Sequence, residues 1–270
     1  MPQKWPCQAA FKLIALYSTI RFPYRCTALN RLAKWAWMAV AGLAVTAHAD
    51  NLRFSVTESW VMPLARLEQG RLADGILFDL MSQIAVASGY KAEFVTLPRK
   101  RVDAAFADGT VDVRCYVSRS WVQRSDAYRW SGPLFSNEDM IVSLQPRPAV
   151  NTLADFTGAR LGTVLGYVYP ALEDEFRSGA LLRDDAADEL TTLRKARLGR
   201  TDLVVMHRLL IDWVRKQDPT QPLYLIYPVQ RFDAECGVSK RSRIDATRVL
   251  AAIETMRRNG DIERILQRYR

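Results

Sequence analysis

The sequence predicts an α/β fold of two lobes, each built on a mainly parallel sheet, with a ligand cleft between them. Three observations carry this. From Asp50 onward short apolar runs alternate with amphipathic segments, the pattern of βαβ units. The pattern restarts after Pro146 and Pro148, and near the C-terminus one more strand candidate appears after the second series has ended, as if the chain returned to the first lobe. Two lobes linked by a double crossover leave a cleft, and clefts between lobes are where small ligands bind.

Taken in order, Leu52 to Thr57 (LRFSVT) alternates like a strand and is followed by the polar and aromatic loop Glu58 to Pro63. Phe78 to Ser88 places Leu80, Ile84 and Ala87 on one helical face, with Gly89 suited to a left-handed stop. Ala92 to Leu97 reads as a strand, Pro98 to Ala107 as a helix with proline at its start, and Val111 to Val117 as the third strand. The second lobe starts after Asp139 to Leu144 and the Pro146/Pro148 pair; in it Arg160 to Leu165 reads as a strand, and Pro170 to Phe176 as a helix ending near Gly179. Leu190 to Leu198 is a helix, Asp202 to Met206 a strand, Leu209 to Val214 a helix and Leu223 to Tyr227 a strand. Gly237 to Lys240 is the returning strand, Ile244 to Arg258 an amphipathic helix closed by Asn259-Gly260, and a last helix runs to Arg270. The expected boundaries are 50–140 for the first lobe, 141–233 for the second and 234–270 for the return.

The 270 residues are 49% hydrophobic and 25% charged, an ordinary globular composition that excludes disordered, collagenous and disulfide-scaffold readings. The net charge of +9 invites a nucleic-acid partner. Six of those charges, Lys4, Lys12, Arg21, Arg25, Arg31 and Lys34, lie in the first 49 residues, which hold no Asp or Glu; the remainder carries only +3. No nucleic-acid partner is expected. Arg31 and Lys34 precede the apolar run Trp35 to Val45, and Ala47-His48-Ala49 is a small-x-small cleavage pattern, so residues 1–49 read as a cleavable signal peptide. The apolar run is shorter than the roughly 20 residues a membrane span needs. The aromatic-rich stretch before Arg31 points to a translation start downstream of Met1, and neither Cys7 nor Cys26 closes a lipoprotein box.

After cleavage only Cys115 and Cys236 remain; in an oxidising compartment an even pair reads as a disulfide, against two buried thiols. One histidine, His207, survives, which excludes a multi-histidine metal site. No Gly-rich phosphate loop, zinc spacing or G-x-S-x-G elbow occurs, and no cofactor or metal is expected.

Eight strings in register resemble the bacterial solute-binding proteins of family 3, the amino-acid-type receptors of ABC importers, over nearly the whole mature chain. The Glu58 to Pro63 loop resembles the family's opening "D…PPF" loop, and GILFDL (Gly75 to Leu80) its "GFDVDL". DGTVDV (Asp108 to Val113) resembles "sGkvDv", SWVQR (Ser120 to Arg124) the "TPER" turn, and RWSGPLF (Arg129 to Phe135) the "dFSdPYy" hinge strand. LADFTGARLGTVLG (Leu153 to Gly166), LGRTDLVV (Leu198 to Val205) and RNGDIERIL (Arg258 to Leu266) match "LadLkGkkVGvqlG", "sGrvDAvv" and "adGtydkIl". The resemblance implies a type II periplasmic-binding-protein (Venus-flytrap) fold that closes on a small solute, a periplasmic location, an inner-membrane ABC permease as partner, and a monomer. It also brings the strands of Cys115 and Cys236 together in one sheet.

The resemblance implies a site as well. Arg124 matches the arginine that grips a ligand carboxylate, a role suited to a bidentate guanidinium, with Arg119 one turn upstream as competitor and Ser118 as a hydroxyl or carbonyl donor. Glu58 stands where relatives read a cationic group; Trp60 serves either as the stacking aromatic or as lobe core. Asp79, at a helix start, reads as structural. Arg99-Lys100-Arg101 is a solvated first helical turn that points toward the cleft side. Gly166-Tyr167 replaces the family's Gly-Thr/Ser, and His207 falls where amino-acid receptors present an aspartate to the ligand's ammonium. An imidazole is no counter-ion for ammonium, so the expected ligand is a carboxylate-bearing solute that need not be an α-amino acid; the alternative makes His207 a capping or core residue. A second reading is an enzyme on the same scaffold, like the family's cyclohexadienyl dehydratases, with Glu58 or Glu173 as general acid. A third, a module fused to a membrane receptor, is disfavoured by the closing basic helix, which no membrane span follows.

Overall fold

The computed structural model describes residues 50–148 and 150–270. The expected signal peptide lies outside the described residues, as do Cys7 and Cys26.

The alternating segment forms β1 (Asn51–Thr57), and its apolar positions Leu52, Phe54 and Val56 are fully buried. β4 (Lys91–Leu97) runs parallel beside it from Asn51↔Lys91 to Thr57↔Leu97, and β5 (Val113–Val117) pairs with its other edge. Between β1 and β4 lie a short hairpin, β2 (Arg66–Glu68) and β3 (Arg71–Asp74), and the helix α1 (Ile76–Ala87). The helix buries Leu77, Leu80 and Ile84, and Gly89 follows it with a φ of +71°. Asp79 accepts from the Tyr269 hydroxyl at 2.7 Å and pairs with Arg268 at 2.9 Å, tying the chain's end to α1. α2 (Arg99–Asp108) starts directly after Pro98, which presets the entry angle, and stops at Gly109 in the left-handed region.

The second half repeats the scheme. β8 (Arg160–Val164) lies parallel between β9 (Leu182–Ala186) and β10 (Leu203–His207). The helix expected from Pro170 is a 3₁₀ turn leading into α3 (Glu173–Ser178). α4 (Glu189–Arg197) is capped by Asp188, whose carboxylate accepts from Thr191 N, and α5 (Arg208–Gln217) by the His207 imidazole, which accepts from Leu210 N. β9, with the sequence LRDDA, was not expected: it shows neither alternation nor an apolar run.

The two halves share strands. β7 (Phe135–Ser143) and β11 (Tyr224–Ser239) are antiparallel to each other; β11 continues past β7 to pair with β5 and with β6 (Tyr128–Trp130). The two strands expected at Leu223–Tyr227 and Gly237–Lys240 are therefore one strand of 16 residues. Pro228 and the polar residues Arg231 and Asp233 read as a break, yet Pro228 sits at a register irregularity, where a missing N–H is tolerated. The result is one mixed nine-stranded sheet in the order β4-β1-β5-β11-β7-β10-β8-β9, with β6 on β11, rather than two separate parallel sheets. Both expected boundaries, 140/141 and 233/234, fall inside the strands that run from one lobe to the other.

Each lobe has its own core. Phe54, Leu80, Ile84 and Val113 pack with α6 (Ala246–Arg258) and α7 (Asp261–Gln267) in the first lobe. In the second, Met206, Leu210 and Ile211 fill one face of the sheet and Ile141, Leu161 and Leu172 the other. Burying such side chains contributes about 1.5–3 kcal/mol each. Cys115 on β5 and Cys236 on β11 are ladder partners and form a disulfide at zero exposure. Among the described residues no helix is long and apolar enough to cross a membrane.

Candidate ligand-binding site

A cavity lies where the two lobes face each other. Ser55 and Thr57 of β1, Arg99 and Val102 of α2, and Arg114 and Tyr116 of β5 line it from the first lobe. Asp139 of β7, the Tyr167–Tyr169 loop, Glu189 and His207 line it from the second.

The first-lobe wall is basic. Arg114 sits in a strand, VRCYV, that is buried throughout, and only 6% of its side chain is exposed. A guanidinium there must be paired, and Arg114 donates to Asp103 and, at 2.9 Å, to the Tyr128 hydroxyl. Arg99, four residues before Asp103 on α2, approaches the same carboxylate at 3.3 Å. Burial and then the neighbouring Arg114 charge pull the Arg99 pKa down, against the pull of Asp103. Two guanidiniums thus share one carboxylate, and that carboxylate is half exposed. The wall retains an excess positive charge facing the cavity.

The second-lobe wall is acidic. His207 and Asp139 are ladder partners on β10 and β7. Glu189, at the first position of α4, accepts from His207 N at 3.1 Å, and its other oxygen lies 3.2 Å from His207 Nε2. That last approach is a charge contact rather than an aligned hydrogen bond, since Nε2 has no hydrogen-bond acceptor among the described residues. Because Nδ1 accepts from Leu210 N at 3.1 Å, the ring proton is on Nε2, facing Glu189. Burial lowers the His207 pKa, but the Glu189 and Asp139 carboxylates outweigh it and the net shift is upward. Asp139 is pushed up to about 6 by burial, with Glu189 adding to the rise and the hydrogen bond from Gln230 opposing it.

Aromatic rings close the remaining sides. Tyr116 is held at a φ of +54°, a left-handed conformation that costs a non-glycine residue about 1–3 kcal/mol and persists only where its surroundings fix it. Its ring lies among Trp121, Phe135, His207 and Phe232 at centroid distances of 6.0–6.2 Å, and its hydroxyl accepts from Asn137 at 2.9 Å. Trp121 also lines the cavity, and its indole N–H is buried with no acceptor among the described residues.

The lobes touch beside the cavity. The Ser59 hydroxyl donates to Tyr167 Oη at 3.2 Å, and a Cβ at Gly166 would come within 3.2 Å of Lys100 and 3.4 Å of Arg99. Gly166 has a φ of +80°, so both the backbone and the close approach of α2 favour glycine.

Of the residues singled out in the sequence, Trp60, Arg99, Tyr167 and His207 line the cavity and Gly166 borders it. Trp60 is core as well, packed with the first-lobe cluster, and His207 is also the cap of α5. Glu58 is exposed and outside the cavity; its backbone N–H bonds Leu97 O at 3.3 Å. Ser118 pairs with Ser120 at 3.1 Å, and Arg119 forms a fork with Glu235 at 2.9–3.2 Å while covering the Trp130 ring at 5.2 Å. Arg124 is 73% exposed, 3.9 Å from Asp126. None of these three lines the cavity, because the turn directs Trp121 inward onto Phe232, ring centroids 4.5 Å apart, and its arginines outward. Glu173 accepts from Tyr169 N at 3.4 Å and also lies outside the cavity. The sequence reading missed Arg114, Tyr116, Asp139 and Glu189. The signal for Arg114 was present: it is a charge inside an otherwise apolar strand, VRCYV, where it must be paired or used.

The comparisons with known proteins agree with this architecture. No curated protein sequence matches. Among solved structures, an ancestral arginine-binding protein bound to arginine superposes with a TM-score of 0.70 at 21% identity, over 82% of this chain and 99% of that one. The arginine-, lysine-, histidine-binding protein ArtJ from Geobacillus stearothermophilus gives 0.67 at 18% identity, over 82% and 95%. An ancestral amino acid-binding protein, a precursor of cyclohexadienyl dehydratase, gives 0.65 at 16% identity, over 81% and 94%. These likenesses show a shared two-lobed fold. The family profile of the bacterial extracellular solute-binding proteins, family 3, matches residues 55–270, and the chain belongs to that family.

Proposed function

We propose that the protein is a periplasmic solute-binding protein that delivers a small carboxylate-bearing solute to an inner-membrane ABC permease, acting as a monomer whose two lobes close on the solute. The observation that carries this is the Arg99 and Arg114 pair, buried at the interlobe cavity with one shared counter-ion. A guanidinium offers a fixed bidentate fork for a carboxylate, and the unpartnered Trp121 N–H adds a donor. The relatives named above bind amino acids, each of which carries a carboxylate. Export by a signal peptide within residues 1–49 accords with a buried disulfide, which an oxidising compartment preserves.

The test is a thermal-shift screen of purified, ligand-stripped protein against amino acids, dicarboxylates, aromatic acids and polyamines. A solute that binds only the folded state at 100 times its dissociation constant adds about 2.7 kcal/mol. Carboxylates should raise the midpoint; stabilisation by polyamines alone would sink the reading. One observation favours a second reading, an enzyme on this scaffold: Asp139, with its pKa pushed up to about 6, could serve as a general acid near neutral pH, whereas Glu58 and Glu173 lie outside the cavity. Mass spectrometry of each stabilising solute after incubation separates the two, since a binding protein returns it unchanged.

A further inference from the structure

Cys115 and Cys236 pair at the point where the sheet changes character. Before Cys115 the ladder between β5 and β11 is regular, with Val113 opposite Val238 and Arg114 opposite Gly237. After it the register shifts: Val117 lies opposite Glu235, so two steps along β5 match one along β11 and Tyr116 has no ladder partner on β11. Tyr116 is therefore the extra residue of a β-bulge, which accounts for its φ of +54°. On β11 the same point is where the strand leaves the first lobe, because Ala234 already pairs with Phe135 of β7. Both backbone polar groups of Cys236 turn toward the segment after β6: its N–H donates to Ser131 Oγ at 2.9 Å, and its carbonyl accepts from Ser131 N at 2.8 Å. Cys115 and Cys236 thus form a non-hydrogen-bonded pair of the ladder, and the disulfide is what links the two strands there.

Resting on the solute-binding reading above, we propose that the Cys115–Cys236 bond is a positioning element of the interlobe cavity, acting through Tyr116. The bond is fully buried and does not line the cavity, so it touches no solute itself. What it fixes is the register beside the bulge. Without it the unpaired position is free to move along β5, and each one-residue step exchanges the faces on which Arg114 and Tyr116 stand. With it, Tyr116 stays in the left-handed region and its ring reaches across the lobes, 6.1 Å from the His207 ring, while its hydroxyl accepts from Asn137 on β7. The bond therefore serves solute affinity as well as stability, and it does so only while residue 116 is a tyrosine.

The experiment combines Cys115→Ala/Cys236→Ala with Tyr116→Ala in a double-mutant cycle on the purified protein, at a temperature where circular dichroism shows every variant folded. If the alanine pair does not fold, Cys115→Val/Cys236→Ala refills the buried space and carries the same test. In solute-free protein, nuclear magnetic resonance backbone shifts and the HN–Hα coupling report the conformation of Tyr116, which should be left-handed with the bond and extended without it. Calorimetric titration then gives dissociation constants for L-arginine, L-glutamine, L-glutamate, succinate and benzoate. For a probe that binds, removing the bond should weaken binding about ten-fold or more beside Tyr116 and less than about two-fold beside alanine. A merely structural bond would lower the melting midpoint in both backgrounds and leave both ratios near one. A left-handed Tyr116 retained without the bond, or an equal change of affinity in the two backgrounds, overturns the positioning role and leaves the solute reading standing. Binding of no probe overturns the solute reading, and the solute-free spectra then uphold or overturn the hold of the bond on Tyr116 by themselves.

Discussion

Two arginine-bearing segments of the first lobe stand side by side and do different things. The 118–126 turn carries Arg119 and Arg124, and both guanidiniums point away from the cavity toward Glu235 and Asp126. α2 and β5 carry Arg99 and Arg114, and both line the cavity. The turn sits where the family resemblance places the ligand-gripping arginine; the cavity arginines sit where no motif places one. A motif fixes a position along the chain, whereas the direction of a side chain is fixed by what packs beside it. In this turn the large apolar Trp121 takes the inward place, burying far more apolar area than an arginine stem.

The largest effect that would break this comparison is on ligand affinity. Arg114→Met removes a buried charge while keeping similar volume, and truncating one partner of a buried charged hydrogen bond to a ligand costs about 2–5 kcal/mol, or roughly 30- to 5,000-fold in dissociation constant. Arg124→Met removes an exposed pair worth about 0–1 kcal/mol at most, and its effect on affinity should stay within about two-fold. Calorimetric titration with the best solute from the thermal-shift screen decides between them. A large loss in Arg124→Met with none in Arg114→Met would return the grip to the turn.

The same contrast explains what could be read in advance. The two-lobed α/β architecture was legible because strands and helices announce themselves by periodicity and by proline and glycine stops, as at Pro98, Gly109 and Gly179. β11 was not, because a strand passing between lobes is half exposed over part of its length and tolerates Pro228 and the polar run around it. Tyr167 and His207 were legible as departures from a motif. Asp139 and Glu189 were not, since their role depends on pairing across β7, β10 and α4, which no local pattern encodes.

A second effect separates the segments by stability. β5, with Arg114 and Tyr116, is stapled to β11 by Cys115–Cys236, a bond between residues 121 apart, and the 118–126 turn follows β5 within the loop that the bond closes. Replacing both cysteines by alanine should lower unfolding stability by about 2–5 kcal/mol, read from urea denaturation. Hydrogen exchange should then show lost protection at the amides of β5 with little change in the turn. Equal loss in both segments would mean that the turn is no more independent than the strand.

The smallest effect concerns closure. The basic wall meets the second lobe at Gly166 and through the Ser59–Tyr167 hydrogen bond, so the lobe contact lies beside Arg99 and not beside Arg124. Tyr167→Phe keeps the ring in place and removes a bond worth about 0.5–1.5 kcal/mol. Ser59 retains Thr57, 2.9 Å away, as a hydrogen-bond partner, so neither hydroxyl is stranded and the melting midpoint of the free protein should hardly move. Affinity should fall by about two- to ten-fold, because a solute that binds the closed state must now supply the closure energy that the phenol contributed. The loss should appear as faster solute release, measured by stopped-flow fluorescence of the cavity tryptophans. A dissociation constant unchanged in Tyr167→Phe would show that closure draws on the charged wall alone, leaving Arg99 and Arg114 as the whole of what distinguishes this side of the cleft from the turn.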